Sequence, residues 1–412
     1  MNTRKLIGPF AQLLTMAGMP LKGPLADNRL EVIENAGIVV EKDNIVQIGF
    51  FDDLKLTEKT IEPVSGHLTV LPGFIDVHTH ICWGGSRAGD YAMRLSGRTY
   101  LEIAAEGGGI RSTVANTRAA GESELTGITA DHANALLKQG ITTIEVKSGY
   151  GLTAESELKM LRAIQAASSK GGSDLISTCL AAHIKPPDFT GSAIEYLEFV
   201  IAHLLPVVKE QNLAQRVDIY IDKGAFSVNE GRYYLAEAKK MGFDIVIHAD
   251  QFYTGGLELA FELNAVSADH LEATPEKDIE RLAASDVIPV ALPAASLGLG
   301  ASFTPARKIL NAGATLVIAS DWNPGSAPMG RLVTAAAILG VYEKLTMAET
   351  LAALTFRAAP ALRLSDRGML KPGMLADFIA FPGSDWREII YNQGAMEPRY
   401  VWKRGIRQND KP

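Results

Sequence analysis

The chain has 412 residues, 47% hydrophobic and 21% charged, with a formal net charge of −7 at pH 7. That balance supports one large core and a smaller second one, and its acidity argues against nucleic acid or an anionic membrane surface as a partner. The two cysteines, Cys82 and Cys179, make neither a disulfide framework nor a cysteine-rich metal site, and no apolar run approaches the ~20 residues of a bilayer span; the expectation is a cytoplasmic protein.

In chain order, "MNTRKLIGPFAQLLTMAGMP" sets Arg4 and Lys5 before an apolar stretch as a secretory leader does, but Pro9 and Gln12 interrupt it. It reads as a first β-strand and turn. "AGIVVEKDNIVQIGFFDDL" carries two apolar runs joined by a charged turn at 42–44, a hairpin pattern. "LPGFIDVHTH" (71–80) reads as a buried strand from Leu71 to Val77 ending in two histidines. The two-residue period of a strand sends His78 and His80 to the same face.

From there short apolar strands alternate with amphipathic helices. "GITTIEVKSGYG" precedes "TAESELKMLRAIQAASSK", "VDIYIDKGAF" precedes "EGRYYLAEAKKMG", "FDIVIHADQF" precedes "GLELAFELN", and "TLVIASDWNPG" precedes "MGRLVTAAAILGVYEKL". Such alternation means a parallel sheet with helical crossovers. Seven steps between His78 and Asp321 average about 35 residues, the spacing of a (β/α)8 barrel. The glycine-rich "EGGGI" (106–110) lies outside the strand-to-helix setting of a dinucleotide fingerprint, which speaks against a doubly wound open sheet. β texture returns in "GMLKPGMLADFIAF" and "PRYVWKRG". The expected architecture is α/β: a TIM-like (β/α)8 barrel over 71–364, with a small β-sandwich domain formed by both chain ends, 1–70 and 365–412.

In such a barrel the strand ends face a common mouth. The polar residues there are His78 and His80, Lys147 with Tyr150, His183, His248, Asp269 with His270, and Asp321; five of the eight histidines stand at strand ends. His67, His132 and His203 fall in loop or helix contexts and read as surface or core residues. Three imidazoles and a carboxylate without a thiolate suit Zn2+ or Fe2+ better than Mg2+ or Ca2+. A metal with an open position brings a bound water to a pKa near 7. Asp321 is then placed to bind the metal and accept the water's proton, and His270 to orient the nucleophile or stabilise the intermediate. The chemistry is hydrolysis at an sp2 carbon.

Together "PGFIDVHTH", the single strand-end His183, His248 and His270, and Asp321 resemble the amidohydrolase superfamily over nearly the whole chain. Within it, "GGSRAGDYAMRLSGRTYLEIAAEGGGI", "EVKSGYGL", "AAHIKPPDF", "HADQFYTGG", "AVSADHLE" and "SDWNPGSAP" are similar to the imidazolonepropionase family of histidine degradation. That family opens the ring of 4-imidazolone-5-propanoate to N-formimino-L-glutamate. The resemblance implies one Zn2+ or iron ion (Fe2+ or Fe3+) per subunit on His78, His80, His248 and Asp321, with His270 beside the metal-bound water. It implies Arg87 and Tyr150 on the substrate's carboxylate and ring with Tyr100 nearby, and His183 and Gln251 at the imidazolone ring. Asn323, Gly325 and Ser326 would line the product loop, the partner is a small molecule, and the subunits form a homodimer. Arginine's planar fork is the natural mate of a propionate. Position 251 is Gln, so Gln251 contributes to catalysis only by hydrogen bonding, and proton transfer falls to Asp321 and His270. Lys147, where some relatives use a modified lysine to bridge two metals, reads as a structural ammonium. The alternative is another amidohydrolase acting on a heterocyclic ring, such as a deaminase.

Overall fold

The structure, a computed structural model, describes residues 4–98, 102–103 and 106–408. The chain opens with β1 (Lys5–Leu14), β2 (Val32–Glu41), β3 (Asn44–Phe50), β4 (Ile61–Pro63) and β5 (Leu68–Pro72). The expected hairpin is β2–β3, with Glu41 paired to Asn44 and Lys42 at φ 54° in the turn. Eight further strands follow: β6 (Phe74–Asp76), β7 (Ile141–Lys147), β8 (Asp174–Ala182), β9 (Arg216–Ile221), β10 (Asp244–Ala249), β11 (Ser267–His270), β12 (Ile288–Ala291) and β13 (Val317–Ile318). The chain closes with β14 (Phe378–Pro382), β15 (Tyr400–Lys403) and β16 (Ile406–Arg407).

Strands β6 to β13 lie in sequence order as one eight-stranded parallel sheet. Its first and last strands meet through a parallel bridge between Thr79 and Trp322, so the sheet closes into a barrel. Strands such as β7 are buried along their whole length, as a parallel sheet covered by helices on the outside requires. The covering helices start at legible caps: Thr153 accepts from Ser156 N before Ala154–Ser168, and Ser227 and Glu230 make a reciprocal capping box before Val228–Lys240.

The chain ends build a second eight-stranded sheet in the order β16-β15-β14-β5-β1-β2-β3, with β4 beside β1. Although β14 and β5 lie between β15 and β1, the rings of Trp402 and Phe10 stand 5.9 Å apart edge-on. The sheet therefore curls over its own core of Ile7, Phe10, Val40, Val70, Phe378 and Trp402. Residues between β1 and β2 leave this sheet, and Met16, Leu25 and Leu30 pack into the barrel's core.

One expected strand is divided. Leu71–Val77 reads as a single strand, but Leu71 and Pro72 end β5 in the outer sheet and Phe74 begins β6 in the barrel. Gly73 makes the change of partner: its N–H bonds the carbonyl of Asp377 at 3.0 Å, and the next N–H bonds that of Gly140 at 2.9 Å. A Cβ at Gly73 would stand 2.3 Å from Oγ1 and 2.5 Å from Cγ2 of Thr142. Below it, Asp174 at the start of β8 receives Lys403 at 2.8 Å and Arg367 at 2.5 Å, tying the outer sheet to the N-terminal end of the barrel, opposite the mouth.

Gly73→Ala is expected to cost about 1–3 kcal/mol by overpacking. Adding Thr142→Ala removes the two nearest atoms and should return much of that loss, read as thermal midpoints in a double-mutant cycle. Simple addition of the two single effects would show that the close approach is not what requires glycine.

Candidate active site

The segment leaving β6 carries His78, Thr79 and His80, and backbone bonds pin it on both sides. His80 N bonds the carbonyl of Trp322 at 3.0 Å, Asp321 N bonds that of His78 at 3.0 Å, and Lys147 N bonds that of Thr79 at 2.9 Å. His78, His80 and Asp321, from opposite ends of the barrel sequence, thus stand side by side. The His78 and His80 rings lie 5.3 Å apart, and His248, from β10, lies 4.5 Å from the first and 5.6 Å from the second. Each of the three offers a ligand atom within 4.8 Å of the others, and all are buried. Asp321 Oδ1 lies 3.6 Å from His78 Nε2 and 3.3 Å from His80 Nε2.

Nε2 of His78 and of His248 is buried without a hydrogen-bond partner. Leaving such atoms unmatched costs about 1–3 kcal/mol each, and a cation between them removes that cost. Burial lowers both histidines, His78 well below the usual imidazole range and His248 to about 4 despite the opposing pull of Asp218. The direction favours the neutral ring in both, the form that ligates a metal. The donor set of three nitrogens and one carboxylate oxygen fits a zinc- or iron-type ion.

Behind the histidines lies a layer of buried charge. His78 Nδ1 is 2.6 Å from Asp269 Oδ2, and His248 Nδ1 is 3.0 Å from Asp218 Oδ2. Carboxylates on the far ring nitrogen orient ligating histidines and raise their basicity. Lys147 reaches Glu145 at 2.8 Å, Asp218 at 2.9 Å and Asp269 at 3.9 Å. Burial works against its ammonium, but Asp218, Glu145 and Asp269 outweigh burial and raise its pKa. Burial lifts Asp269 to about 7, whereas His248 and Lys147 overcome burial at Asp218 and hold it far below the carboxylate range. Asp218 and Glu145 escape a reading of strand ends because they stand inside their strands. The signal was there: each is a lone acid in an apolar run, in "VDIYI" and "ITTIEVK".

His270, at the end of β11, has its ring 5.5 Å from that of His248. Its Nδ1 lies 3.5 Å from Glu272 Oε1, which accepts a bond from Ser296 Oγ at 2.9 Å. Burial would lower His270, but Glu272 reverses the direction and its pKa is raised. Glu272 is a third residue, after Asp218 and Glu145, that the sequence did not single out. His270 (φ 86°), Leu271 (φ 70°) and Asp321 (φ 49°) all adopt left-handed backbone, so local strain collects at this mouth.

On the open side, His183 stacks on His80 with centroids 5.4 Å apart at 22°, and its Nδ1 meets the carbonyl of Gly149 at 3.0 Å. The Tyr150 ring lies 5.8 Å from His80 and 5.5 Å from His183. Its loop is held by the buried Glu157, which accepts from the N–H groups of Gly149, Gly151 and Leu152 at 3.0, 2.7 and 2.7 Å. Gln251 accepts from Tyr220 Oη at 2.8 Å, which turns its amide NH2 away from that contact. Arg87 donates from Nε to Asp90 at 2.9 Å, and its guanidinium lies so close to Gly325 that a Cβ there would sit 2.2 Å from a terminal nitrogen.

Asn323 behaves as a turn residue. Its Oδ1 accepts from Gly325 N and Ser326 N at 2.8 Å each, and its Nδ2 donates to the Asp321 carbonyl at 2.7 Å and Ser326 Oγ at 3.0 Å, so its polar atoms are spent inside the loop. Arg94, not foreseen, braces the same loop by donating to the carbonyls of Gly298 and Gly325 at 3.1 and 3.0 Å. Tyr100 lies outside the described residues.

The sequence matches the model of the Amidohydrolase family over residues 102–406. A protein of Deinococcus deserti named imidazolonepropionase is 44% identical over 345 residues, 83% of this chain and 84% of that one. A Bdellovibrio bacteriovorus protein of the same name is 38% identical over 408 residues, 97% and 95% of the two chains. Among solved structures, a zinc-bound adenosine deaminase from Xanthomonas campestris superimposes with a TM-score of 0.68 at 17% identity over 98% of this chain and 92% of its own, a likeness of fold. Full-length identity at this level, with the barrel and the buried histidine cluster, assigns the chain: it belongs to the imidazolonepropionase family of amidohydrolases.

Proposed function

We propose that this protein hydrolyses the ring of 4-imidazolone-5-propanoate to N-formimino-L-glutamate, with one zinc or iron ion per subunit, as a cytoplasmic homodimer. The observation that carries the reading is the buried His78–His80–His248 cluster beside Asp321, on a chain 44% identical to a protein named imidazolonepropionase. The relatives' names favour it over deamination of a heterocycle. No helix among the described residues is long and apolar enough to cross a membrane.

An ion held by His78, His80, His248 and Asp321 would supply Lewis acidity and bring a water's pKa toward neutrality. Asp321 takes the proton of the attacking water as its oxygen bonds to the ring carbonyl carbon. His270, backed by Glu272, stabilises the negative charge that develops on the carbonyl oxygen. Asp321 then delivers the proton to the departing ring nitrogen as the C–N bond breaks, leaving a carboxylate and the formimino group. Gln251 has no proton to exchange and holds the ring by hydrogen bonds, its amide steadied by Tyr220. His183 and Tyr150 pack against the ring, and Arg87, set by Asp90, pairs with the propionate.

The test is an ultraviolet assay of fresh 4-imidazolone-5-propanoate. Loss of the imidazolone band is expected, abolished by a chelator and restored by Zn2+ or Fe2+; a metal-loaded protein that leaves the band unchanged sinks the substrate. Asp321→Asn should lower kcat by at least about 10²–10⁴-fold, the worth of general acid–base catalysis. Arg87→Ala should act mainly on KM, lowering kcat/KM by about 10–100-fold, as loss of a charge-assisted hydrogen bond predicts. An unchanged KM would remove Arg87 from the carboxylate.

A further inference from the structure

We propose that Lys147 is a positioning residue for the metal centre: its buried ammonium holds together the two carboxylates that aim His78 and His248. The inference rests on the reading of the histidine cluster as a metal site and names the residue on which that site's geometry hinges.

Lys147 is completely buried at the end of β7. Its Nζ lies 2.9 Å from Asp218 Oδ2 and 3.9 Å from Asp269 Oδ2. Those same two oxygens face the histidines, Asp218 Oδ2 at 3.0 Å from His248 Nδ1 and Asp269 Oδ2 at 2.6 Å from His78 Nδ1. One cation therefore stands at the apex of two chains, Lys147–Asp218–His248 with a close first link and Lys147–Asp269–His78 with a looser one. A carboxylate that accepts from Nδ1–H leaves the lone pair on Nε2; Nε2 is buried without a hydrogen-bond partner in both rings, and His248 Nδ1, 3.0 Å from Asp218 Oδ2, stands at ion-pair distance outside any formed hydrogen bond.

The third partner keeps the ammonium in place. Glu145 accepts from Nζ at 2.8 Å, and it also takes the N–H of Thr79 at 3.3 Å and, on its backbone carbonyl, the Thr79 hydroxyl at 2.6 Å. Since Thr79 lies between His78 and His80, the end of β7 grips the ligand-bearing segment by its backbone while Lys147 sets two ligand rings from behind. Without the cation, Glu145, Asp218 and Asp269 are three buried acids in one layer with no ammonium to draw them together. The two histidines would then lose the common anchor that keeps their Nε2 atoms converging.

The test is metal affinity. Zn2+ and Co2+ are titrated into metal-stripped wild type, Lys147→Met, Asp218→Asn and the double variant, in competition with a chromophoric chelator, and the Co2+ visible spectrum is recorded. Lys147→Met and Asp218→Asn should each weaken binding by about 10–100-fold, the usual effect of losing an outer partner of a ligand. The double variant should fall well short of the product of the two losses, because both act through His248. The Co2+ band of Lys147→Met should change in shape.

Wild-type affinity and an unchanged Co2+ spectrum in Lys147→Met, with only the metal-free thermal midpoint lowered, would overturn the proposal in favour of plain packing. Fully multiplicative losses would also overturn it. If Lys147→Met does not fold, Lys147→Gln carries the same expectation, and failure of both to fold would assign Lys147 to the fold alone. A wild type that binds neither ion would instead defeat the metal-site reading.

Discussion

Closure of the barrel is the constraint on which the site depends. A parallel sheet of eight strands removes its edges only when its first and last members meet, and here β13 is only two residues long. Closure is completed beyond the ends of β6 and β13, by the bonds from His80 N to Trp322 O and from Asp321 N to His78 O. The backbone that finishes the ring is therefore the backbone that carries His78, His80 and Asp321 into the buried histidine cluster. Architecture and chemistry are joined in one stretch of backbone, and neither can shift without the other.

The second demand is electrostatic. Burial lowers His78 and His248 toward the neutral form, yet each of these two rings needs an acceptor behind it to be aimed. Buried acids meet that need and create a new problem, since acids in an apolar layer repel and resist burial. Lys147 answers it from the centre, in contact with Glu145, Asp218 and Asp269. The mouth's open side follows a different rule. There, side chains are spent on holding loops: Glu157 on the Tyr150 loop, Asn323 on the turn after Asp321, Arg94 on the carbonyls of Gly298 and Gly325. The left-handed backbone at Leu152, Asp250, His270 and Asp321 belongs to the same pattern, because loops this tightly bonded can hold conformations that free chain avoids.

Much of this was legible in the sequence, for reasons that lie in its local periodicities. Alternating apolar strands and capped amphipathic helices announce a parallel barrel, and histidines at strand ends are conspicuous because buried imidazoles need a purpose. His-x-His needs only the two-residue pleat to point both rings one way. The residues proposed to face substrate could be named only through resemblance. Arg87 alone looks like an ion-pair residue and does pair with Asp90; only its contact with Gly325 sets it at the mouth. Asn323 looks like a ligand and spends its amide on its own turn.

The sequence by itself determined the fold class, the strand-end histidines and Asp321, since these follow from spacing along one strand and its helix. Only the tertiary structure decided the division of 71–77 at Gly73, where the room left by Thr142 across the junction is the deciding term. It alone decided that Glu145, Asp218 and Glu272 stand behind Lys147, His248 and His270 in turn. Their roles depend on which strands become neighbours and on how far inside the barrel each side chain lies, and neither is written in local sequence.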